Sequence, residues 1–296
     1  MTLTLGSLLV PYIPRSLAYL LARLAGSMAY LVALQARQNI KSNLAVVMGL
    51  PAQSSAVRRA ARHAFTVNAC NWVDTLRLAA VQPEELEQRV QLHGWQVFEQ
   101  AVTRGGGVIL LGVHLGNIDL AGQIVAARGF PFAVPVERMQ PERLFRRIQR
   151  LRSAFGIRVV PTSSSPRPLL RSLRAGETVG LLCDRNVAGS GVSVSFFGRP
   201  FRASRGPAWL ARNSAAEVIM ACGLRRGQDF EAYLFGPLSL RRTEDVDTDI
   251  VENTRLIMQT AEALIRRAPD QWLMFVPAWP APERPEDSRG NEPGVA

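Results

Sequence analysis

Short apolar runs alternate with amphipathic segments through the middle of the chain. Residues 108–111 (Val-Ile-Leu-Leu) form a continuous apolar run, which is typical of a strand buried on both faces. Further strands are predicted at 132–136, 157–160, 179–182, 192–197, 218–221 and 230–235. Helical patterns lie between most of them, at 142–155, 166–174, 207–213 and 250–267. The alternation predicts an α/β fold with a mostly parallel sheet flanked by helices.

The first 36 residues are nearly all apolar, and the stretch 17–34 contains one charge, Arg23. A membrane-spanning helix needs about 20 apolar residues, so this stretch is at the lower limit. It lacks the basic start and the small-residue cleavage site of a secretory signal. An arginine in the middle favours a helix that lies in the membrane interface, or one whose Arg23 reaches the headgroups. We therefore predict a membrane-associating segment at 1–36, the alternative being an amphipathic helix that covers the core.

The remainder of the chain divides into one large domain and a tail. Residues 37–280 contain the predicted sheet and helices, and 47% of the whole chain is hydrophobic, enough for a sizeable core. Residues 281–296 are rich in proline, glutamate, glycine and aspartate, which predicts a disordered tail.

The net charge is +11, and every basic residue except Lys41 is arginine. A surplus of arginine suits a partner with phosphates, such as nucleic acid, an anionic membrane surface or a phosphorylated substrate. A GC-rich genome also favours arginine codons, so the charge does not decide among these partners. The sequence has no zinc-finger or RNP signature, and we therefore predict no nucleic-acid partner.

The cysteines are three in number and widely scattered, at positions 70, 183 and 222. They show no CxxC spacing, which argues against both a zinc site and a disulfide framework. We predict no metal site, and a reducing cytoplasmic compartment is the default.

The most informative segment is 105–119, in which a predicted buried strand ends at His114. Substrates of open α/β sheets bind at the carboxyl ends of the strands. Asp119 follows about one helical turn later, where its carboxylate could reach the imidazole, fix its tautomer and leave the other nitrogen as a general base. The alternatives are a structural histidine or a nucleotide-binding loop. The second is weak because Gly105–Gly107 precede the strand, whereas a dinucleotide-binding fingerprint follows it.

Several arginines are placed where they could bind an anion. Four of them recur at helical spacing on one face, at 143, 146, 147 and 150. Another group lies just before the predicted helix start at Gly206-Pro207. The alternatives are a solvated charged face and structural salt bridges. The predicted substrate-binding residues are Arg138, Arg146, Arg147, Asp184, Arg185 and Arg205.

The segment 114–119 resembles the HX4D block of the lysophospholipid acyltransferase superfamily. It is most similar to the branch that contains lipid A biosynthesis acyltransferases and phosphatidylinositol mannoside acyltransferases. Other local matches occur in order along 37–279: Arg37-Gln-Asn-Ile-Lys41-Ser-Asn43-Leu44, Pro141-Glu-Arg143-Leu-Phe145-Arg146-Arg147, Gly176-Glu177 through Asp184-Arg185-Asn186, Phe196-Phe197-Gly198-Arg199-Pro200 with Gly206-Pro207-Ala208, and Pro269-Asp-Gln271-Trp272. Mannoside acyltransferases often carry an acidic residue in the strand before Phe-Phe-Gly, but this chain has Ser193 and Ser195. The resemblance therefore supplies no third carboxylate at that position.

This resemblance implies a glycerolipid acyltransferase-like fold and a catalytic pair of His114 and Asp119. It implies transfer of a fatty acyl chain from acyl-CoA or acyl carrier protein, without a cofactor, to a hydroxyl of a membrane glycolipid. The acceptor would be a lipid A precursor or a mannosylated phosphoinositide, at the cytoplasmic face of the plasma (inner) membrane. A lysophospholipid acyltransferase is the nearest enzymatic alternative.

Two function classes compete with acyl transfer. The first is a basic protein that binds an anionic membrane surface without catalysis. The second is a hydrolytic or NAD-dependent α/β enzyme, which no GxSxG or well-placed GxGxxG supports.

Overall fold

A seven-stranded sheet forms the centre of the protein. The structure, a computed structural model, describes residues 10–136, 142–161, 165–186 and 191–279. The strands are β1 (Val90–His93), β2 (Val108–Gly116), β3 (Phe132–Val136), β4 (Arg158–Pro161), β5 (Thr178–Leu182), β6 (Val192–Phe196), β7 (Arg199–Ala203), β8 (Glu217–Arg226) and β9 (Asp229–Phe235). The order in the large sheet is β1-β9-β8-β2-β5-β3-β4. Strands β2, β3, β4, β5 and β8 are parallel. Strand β9 is antiparallel to β8, and β1 is parallel to β9, so these two strands run opposite to the other five. The predicted α/β fold with a mostly parallel sheet is confirmed.

Helices cover both faces of this sheet or pack beside it. They are α1 (Arg15–Val32), α2 (Leu34–Met48), α3 (Ser55–Arg77), α4 (Pro83–Gln88), α5 (Trp95–Thr103), α6 (Ile118–Ala127), α7 (Glu142–Arg152), α8 (Arg167–Arg174), α9 (Gly206–Asn213) and α10 (Val246–Arg267). Helix α10 begins one turn before the predicted residue 250, because the Asp245 carboxylate accepts a hydrogen bond from the Thr248 amide and caps it.

Strand β2 separates two apolar cores because its side chains alternate between the faces of the sheet. Ile109 and Leu111 pack in a core with α10, whereas Leu110 packs in a core with α5 and α6. Burial on both faces explains the continuous apolar run at 108–111. The central position also gives β2 a parallel neighbour on each side, β5 and β8.

Three strand assignments differ from the alternating pattern. The predicted strand at 192–197 is β6, which leaves the large sheet and pairs with β7 in an antiparallel hairpin. Strands β8 and β9 form a second hairpin without an intervening helix, since only Gly227 and Gln228 separate them. Strand β1, at the sheet edge, was not predicted because four residues are too few for a clear period.

Helices α1 and α2 lie against α3 outside the sheet. Ala18, Tyr19 and Ala22 of α1 are buried in a small core with α3. A methyl group at Gly26 would approach the Phe65 carbonyl oxygen to 2.7 Å, so α1 and α3 are in close backbone contact there. In the described ranges no single helix is both long and apolar enough to cross a membrane. Taken together, α1 and α2 reach the required length and hydropathy, with a bend of 93° between them.

The segment after α10 returns across the protein to the end of β2. Asn43 of α2 binds this segment, donating to the carbonyls of Met274 (2.8 Å) and Val276 (2.7 Å) and accepting from the Ala278 amide (3.0 Å). The Asn-Leu pair in the sequence therefore has a structural role here, with Leu44 fully buried beside it. The predicted tail at 281–296 lies outside the described residues.

Candidate active site

His114 stands at the carboxyl end of β2, as the sequence predicts. Strand β2 pairs with β8 in regular register up to Gly112, which lies opposite Ala221. The register has changed at Gly116, which lies opposite Gly223. The shift marks a bulge around His114, and bulges commonly redirect a side chain next to a functional site. The His114 side chain keeps 31% of its surface exposed, although the residues on either side of it in β2 are fully buried.

A single carboxylate holds both the backbone and the ring of His114. The Asp184 carboxylate accepts from the His114 amide (2.9 Å) with one oxygen and lies 2.7 Å from Nδ1 with the other. Because Asp184 occupies Nδ1, the ring nitrogen left for a substrate is Nε2. The His114 carbonyl accepts a hydrogen bond from the Leu273 amide (2.7 Å), so the backbone is fixed on both sides.

Asp184 is fully buried and has a third hydrogen bond, from Trp272 Nε1 (2.8 Å). Burial by itself would raise the pKa of Asp184, but the His114 imidazole and the three hydrogen bonds lower it below its ordinary value. For His114 the effect of burial is the opposite, because burial lowers the pKa of an imidazole. The Asp184 carboxylate outweighs burial, so the pKa of His114 lies above its ordinary value. The pair therefore favours an ionised Asp184 and a comparatively basic imidazole.

Asp119 does not hold the imidazole, contrary to the expectation from the HX4D spacing. Its carboxylate pairs with the Arg152 guanidinium of α7, with an oxygen–nitrogen distance of 2.9 Å. The physical reason is the turn before α6. There the Asn117 side chain caps the helix at the Leu120 amide, and the Asp119 carboxylate in the first helical turn meets Arg152. Asp119 still lines the same cavity as His114.

The register of neighbouring strands explains why Asp184 replaces Asp119. Gly112 of β2 pairs with Leu182 of β5, and two further residues along each strand lead to His114 and Asp184. The sequence placed Asp184 at a strand end but assigned it to substrate binding. Asp184 is fully buried against the imidazole and does not line the cavity, so it lies behind His114 and not on the side open to a substrate. The parallel pairing of β2 with β5 is the signal that would have identified it.

A cavity of about 860 Å³ opens beside His114, within the size range of small-molecule sites. Its walls come from the sheet, from α6 and from the region around α8 and α9. Glycines allow the walls to pack closely, since a methyl group at Gly112 would come within 2.9 Å of Ile118 Cδ1 and one at Gly180 within 2.6 Å of Phe132 Cζ. The apolar lining includes Leu110, Ile118, Val134, Leu182, Ala221 and Leu234. Such a lining suits a hydrocarbon chain, which gains free energy by leaving water.

Among the described residues, the charged groups that line the cavity are Asp119, Arg152, Arg185 and Arg205. Arg185 and Arg205 thus line the same cavity as His114, and Arg205 also stands 3.3 Å from Asp247; their role in substrate binding stays a prediction. No three His, Cys, Asp or Glu side chains among the described residues come together as a metal site requires. Groups that could hold a charged ligand here are the arginines.

Arg146 and Arg147 line a different cavity, of about 470 Å³, together with the other two arginines of the α7 face, Arg143 and Arg150. They are thus separated from the lining of the His114 cavity, to which α7 contributes Arg152. Their role as substrate-binding residues stays a prediction. Arg138 lies outside the described residues.

Trp272 and Leu273 are site residues that the sequence analysis did not identify. They bridge to Leu115 and His114, and Trp272 donates to Asp184. The signal in the sequence was the Pro269-Asp-Gln271-Trp272 motif, but the motif does not indicate that Trp272 contacts Asp184. Tryptophan suits this position because its ring fills a fully buried site while its indole N–H donates to the Asp184 carboxylate.

Comparison with known proteins shows the family of this chain. Residues 3–280 match the family of bacterial lipid A biosynthesis acyltransferases. The phosphatidylinositol mannoside acyltransferase of Mycobacterium tuberculosis is 28% identical over 252 residues, covering 82% of this chain and 77% of the relative. The protein of the same name from Mycolicibacterium smegmatis is 29% identical over 250 residues, covering 82% of this chain and 79% of the relative. The resemblance seen in the sequence is confirmed, and with it the assignment as an acyltransferase. This chain belongs to the bacterial lipid A biosynthesis acyltransferase family.

Proposed function

We propose that this acyltransferase moves a fatty acyl chain from acyl-CoA or acyl carrier protein to a hydroxyl of a membrane glycolipid. The observation that supports this most is the His114–Asp184 pair at the edge of a large apolar cavity. The acceptor class is a mannosylated phosphoinositide, after the named activity of the relatives, or a lipid A precursor, after the family. A lysophospholipid acceptor is the alternative, and it would need the same His114 chemistry.

In the proposed mechanism His114 acts as the general base and Asp184 as its positioning partner. Nε2 takes the proton of the acceptor hydroxyl while the hydroxyl oxygen attacks the thioester carbonyl carbon. The tetrahedral oxyanion then collapses, the carbon–sulfur bond breaks, and the thiol leaves with the proton returned by Nε2. The Asp184 carboxylate stabilises the imidazolium between these two transfers. The apolar cavity would hold the acyl chain and keep the carbonyl carbon close to Nε2.

A thiol-release assay tests the proposal. The purified protein is incubated with a long-chain acyl-CoA and with one of three acceptors: phosphatidylinositol dimannoside, a lipid A precursor or a lysophospholipid. Free thiol and acylated lipid should appear together, in equal amounts, with a glycolipid acceptor. Equal rates with and without acceptor would identify a thioesterase instead. Transfer to the lysophospholipid alone would favour the alternative acceptor.

Asp119 is expected to act through Arg152 rather than through the imidazole. Asp119→Asn removes the charge that holds the Arg152 guanidinium at the cavity, so we expect slower transfer. Arg152→Gln should have a similar effect, and the double variant should be little worse than either single variant, because both break the same pair. Steady-state kinetics of the four proteins measure this coupling. Fully additive losses would show that Asp119 and Arg152 act separately.

The outer face of α1 supports a membrane location. Leu17, Leu20, Leu21, Leu24, Met28 and Leu31 recur at helical spacing and are 45–65% exposed. An apolar stripe of this kind marks a membrane or protein contact. We propose that α1 lies in the cytoplasmic interface of the plasma membrane, where the lipid acceptor is found. The arginine surplus would add attraction to anionic headgroups.

Replacing three exposed leucines tests the membrane contact. We expect the Leu20→Gln, Leu24→Gln, Leu31→Gln variant to move from the membrane fraction to the supernatant without a large change in melting temperature. Full burial of one leucine contributes roughly 1.5–3 kcal/mol, against about 1 kcal/mol per basic residue near the surface, so the apolar contacts should dominate. High salt should therefore leave the wild type on vesicles. The exposed Val246 of α10 offers a control, Val246→Gln, that should stay membrane-bound. Release of the wild type by salt alone would contradict the proposal.

A further inference from the structure

The chain between His114 and Asp119 contains a turn at Gly116, whose backbone conformation is not fixed by the turn residues alone. Gly116 has φ +62°, and a methyl group there would come within 1.9 Å of the Gly223 carbonyl oxygen. Only glycine fits this position, and glycine has the most backbone freedom of any residue. The separation between the end of β2 and the start of α6 must therefore be fixed by contacts from outside the turn.

Helix α3 supplies those contacts. Asn71 donates from Nδ2 to the Gly116 carbonyl oxygen at 2.7 Å. One helical turn later, Asp74 accepts from Asn117 Nδ2 at 3.3 Å. From the opposite side, the Gly223 carbonyl of β8 accepts from the Asn117 amide at 2.7 Å. The turn is thus held between α3 and β8.

A buried polar network holds Asn71 and Asp74 in place. Arg225 of β8 donates from Nη2 to Asn71 Oδ1 (2.9 Å) and to Asp74. Arg89 and the Tyr19 hydroxyl of α1 also donate to Asp74, whose side chain is 1% exposed. The network buries two guanidinium groups against one carboxylate, and the rings of Tyr19 and Phe230 lie against the Arg225 guanidinium.

Burying such charges is a poor source of net stability, because desolvation offsets most of the attraction. A well-packed apolar cluster would stabilise α3 against β8 at least as well. What the network provides is a fixed direction for its donors and acceptors, and two of these point at the turn beside His114. A positional role explains the arrangement better than a purely stabilising one.

We propose that Asn71, supported by Asp74 and Arg225, is a positioning residue for acyl transfer. It fixes the Gly116–Asn117 turn, and through it the distance from His114 to the first turn of α6, where Ile118 and Asp119 line the cavity. Asn71 does not touch the substrate. The proposal rests on the proposed function for its kinetic consequence, because the geometry that it controls is that of His114 and the bound acyl group.

Asn71→Asp tests the proposal with a minimal change of shape. The aspartate keeps an acceptor for Arg225 but replaces the donor to Gly116 with a second acceptor. A misplacement near 1 Å costs about 10²-fold in rate, so we expect kcat to fall by about 10- to 100-fold, with a smaller change in KM for the acyl donor. Asn71→Ala, which adds no charge, should show the same split between kcat and KM. It also serves if Asn71→Asp does not fold.

Asn253→Asp is the matched control. Asn253 is 2% exposed and lies away from the cavity. Its side chain accepts a hydrogen bond from the Arg241 amide (2.7 Å) and donates one to the Arg241 carbonyl (3.0 Å). The melting temperature of Asn253→Asp should fall as that of Asn71→Asp does, while its kcat stays near that of the wild type. Equal kcat losses in both variants would show that activity follows stability and would overturn the proposal, as would an unchanged kcat in both Asn71 variants.

Amide hydrogen exchange on the same proteins separates this proposal from the proposed function. Exchange at residues 116–121 should accelerate in Asn71→Asp and stay unchanged in Asn253→Asp. If the wild type transfers no acyl group at all, the proposed function fails, and the exchange data still test whether Asn71 holds the turn. Unchanged exchange at 116–121 in both Asn71 variants would overturn the positioning role by itself.

Discussion

Replacing His114 with alanine is expected to reduce acyl transfer by at least about 10²-fold, the lower end of the usual contribution of a general base. The reason is that Nε2 of His114 takes the proton from the acceptor hydroxyl in the proposed mechanism. The protein should still fold, because Asp184 keeps its hydrogen bonds from the His114 amide and from Trp272, but its melting temperature should fall because the buried carboxylate loses the ring. Thiol release from acyl-CoA in the presence of lipid acceptor measures the rate.

The histidines outside the cavity provide the control for this experiment. His63 pairs with Asp270 at 2.8 Å on the surface of α3, so His63→Ala should keep normal transfer. A folded His114→Ala protein that retained more than about a tenth of the wild-type rate would rule out the general-base role.

Replacing Asp184 with asparagine should have the second largest effect. The amide keeps the shape but loses the charge that stabilises the imidazolium, and its NH₂ group can present the wrong donor to Nδ1. We expect at least about 10²-fold slower transfer, a greater loss than for Asp119→Asn. The pH profile should change as well. Asp184 raises the pKa of His114, whereas burial lowers it, so removing the carboxylate should move the acid limb of kcat/KM to lower pH.

A second buried carboxylate allows a matched control. Asp249 is fully buried at the start of α10, where it binds the Thr243 amide at 2.6 Å and lies 3.3 Å from Arg212. Asp249→Asn should lower the melting temperature without moving the acid limb. If Asp184→Asn were as active as the wild type, Asp184 would be a structural residue only.

The sequence was informative where one local pattern decides the structure. The apolar run of β2 determined a doubly buried strand, and its end located His114. Matches to β3, β5 and α8 followed from the same alternation. The predicted strand at 192–197 (β6) was assigned to the main sheet, because a short strand looks the same whichever sheet it joins, and its hairpin partner β7 was not predicted.

The partner of His114 could not be read from local spacing. Asp119 is close in sequence, but the turn at Gly116 and the Asn117 cap direct it to Arg152. Asp184 reaches the imidazole because β5 pairs with β2, and Trp272 reaches Asp184 because the chain after α10 crosses back over the sheet. Both contacts depend on long-range topology. The buried network around Asp74 depends on it too, since its members come from α1, α3, β8 and the turn before β1.

The measurement that most directly tests the central claim is a pH titration of the His114 imidazole by ¹⁵N NMR, in the wild type and in the two carboxylate variants. The claim is that Asp184 holds Nδ1 and leaves Nε2 as the base. The pKa of His114 should then lie above its ordinary value in the wild type, fall clearly in Asp184→Asn and change only slightly in Asp119→Asn. The ¹⁵N shifts of the neutral ring should also show the proton on Nδ1. A pKa that drops in Asp119→Asn and stays unchanged in Asp184→Asn would contradict the account.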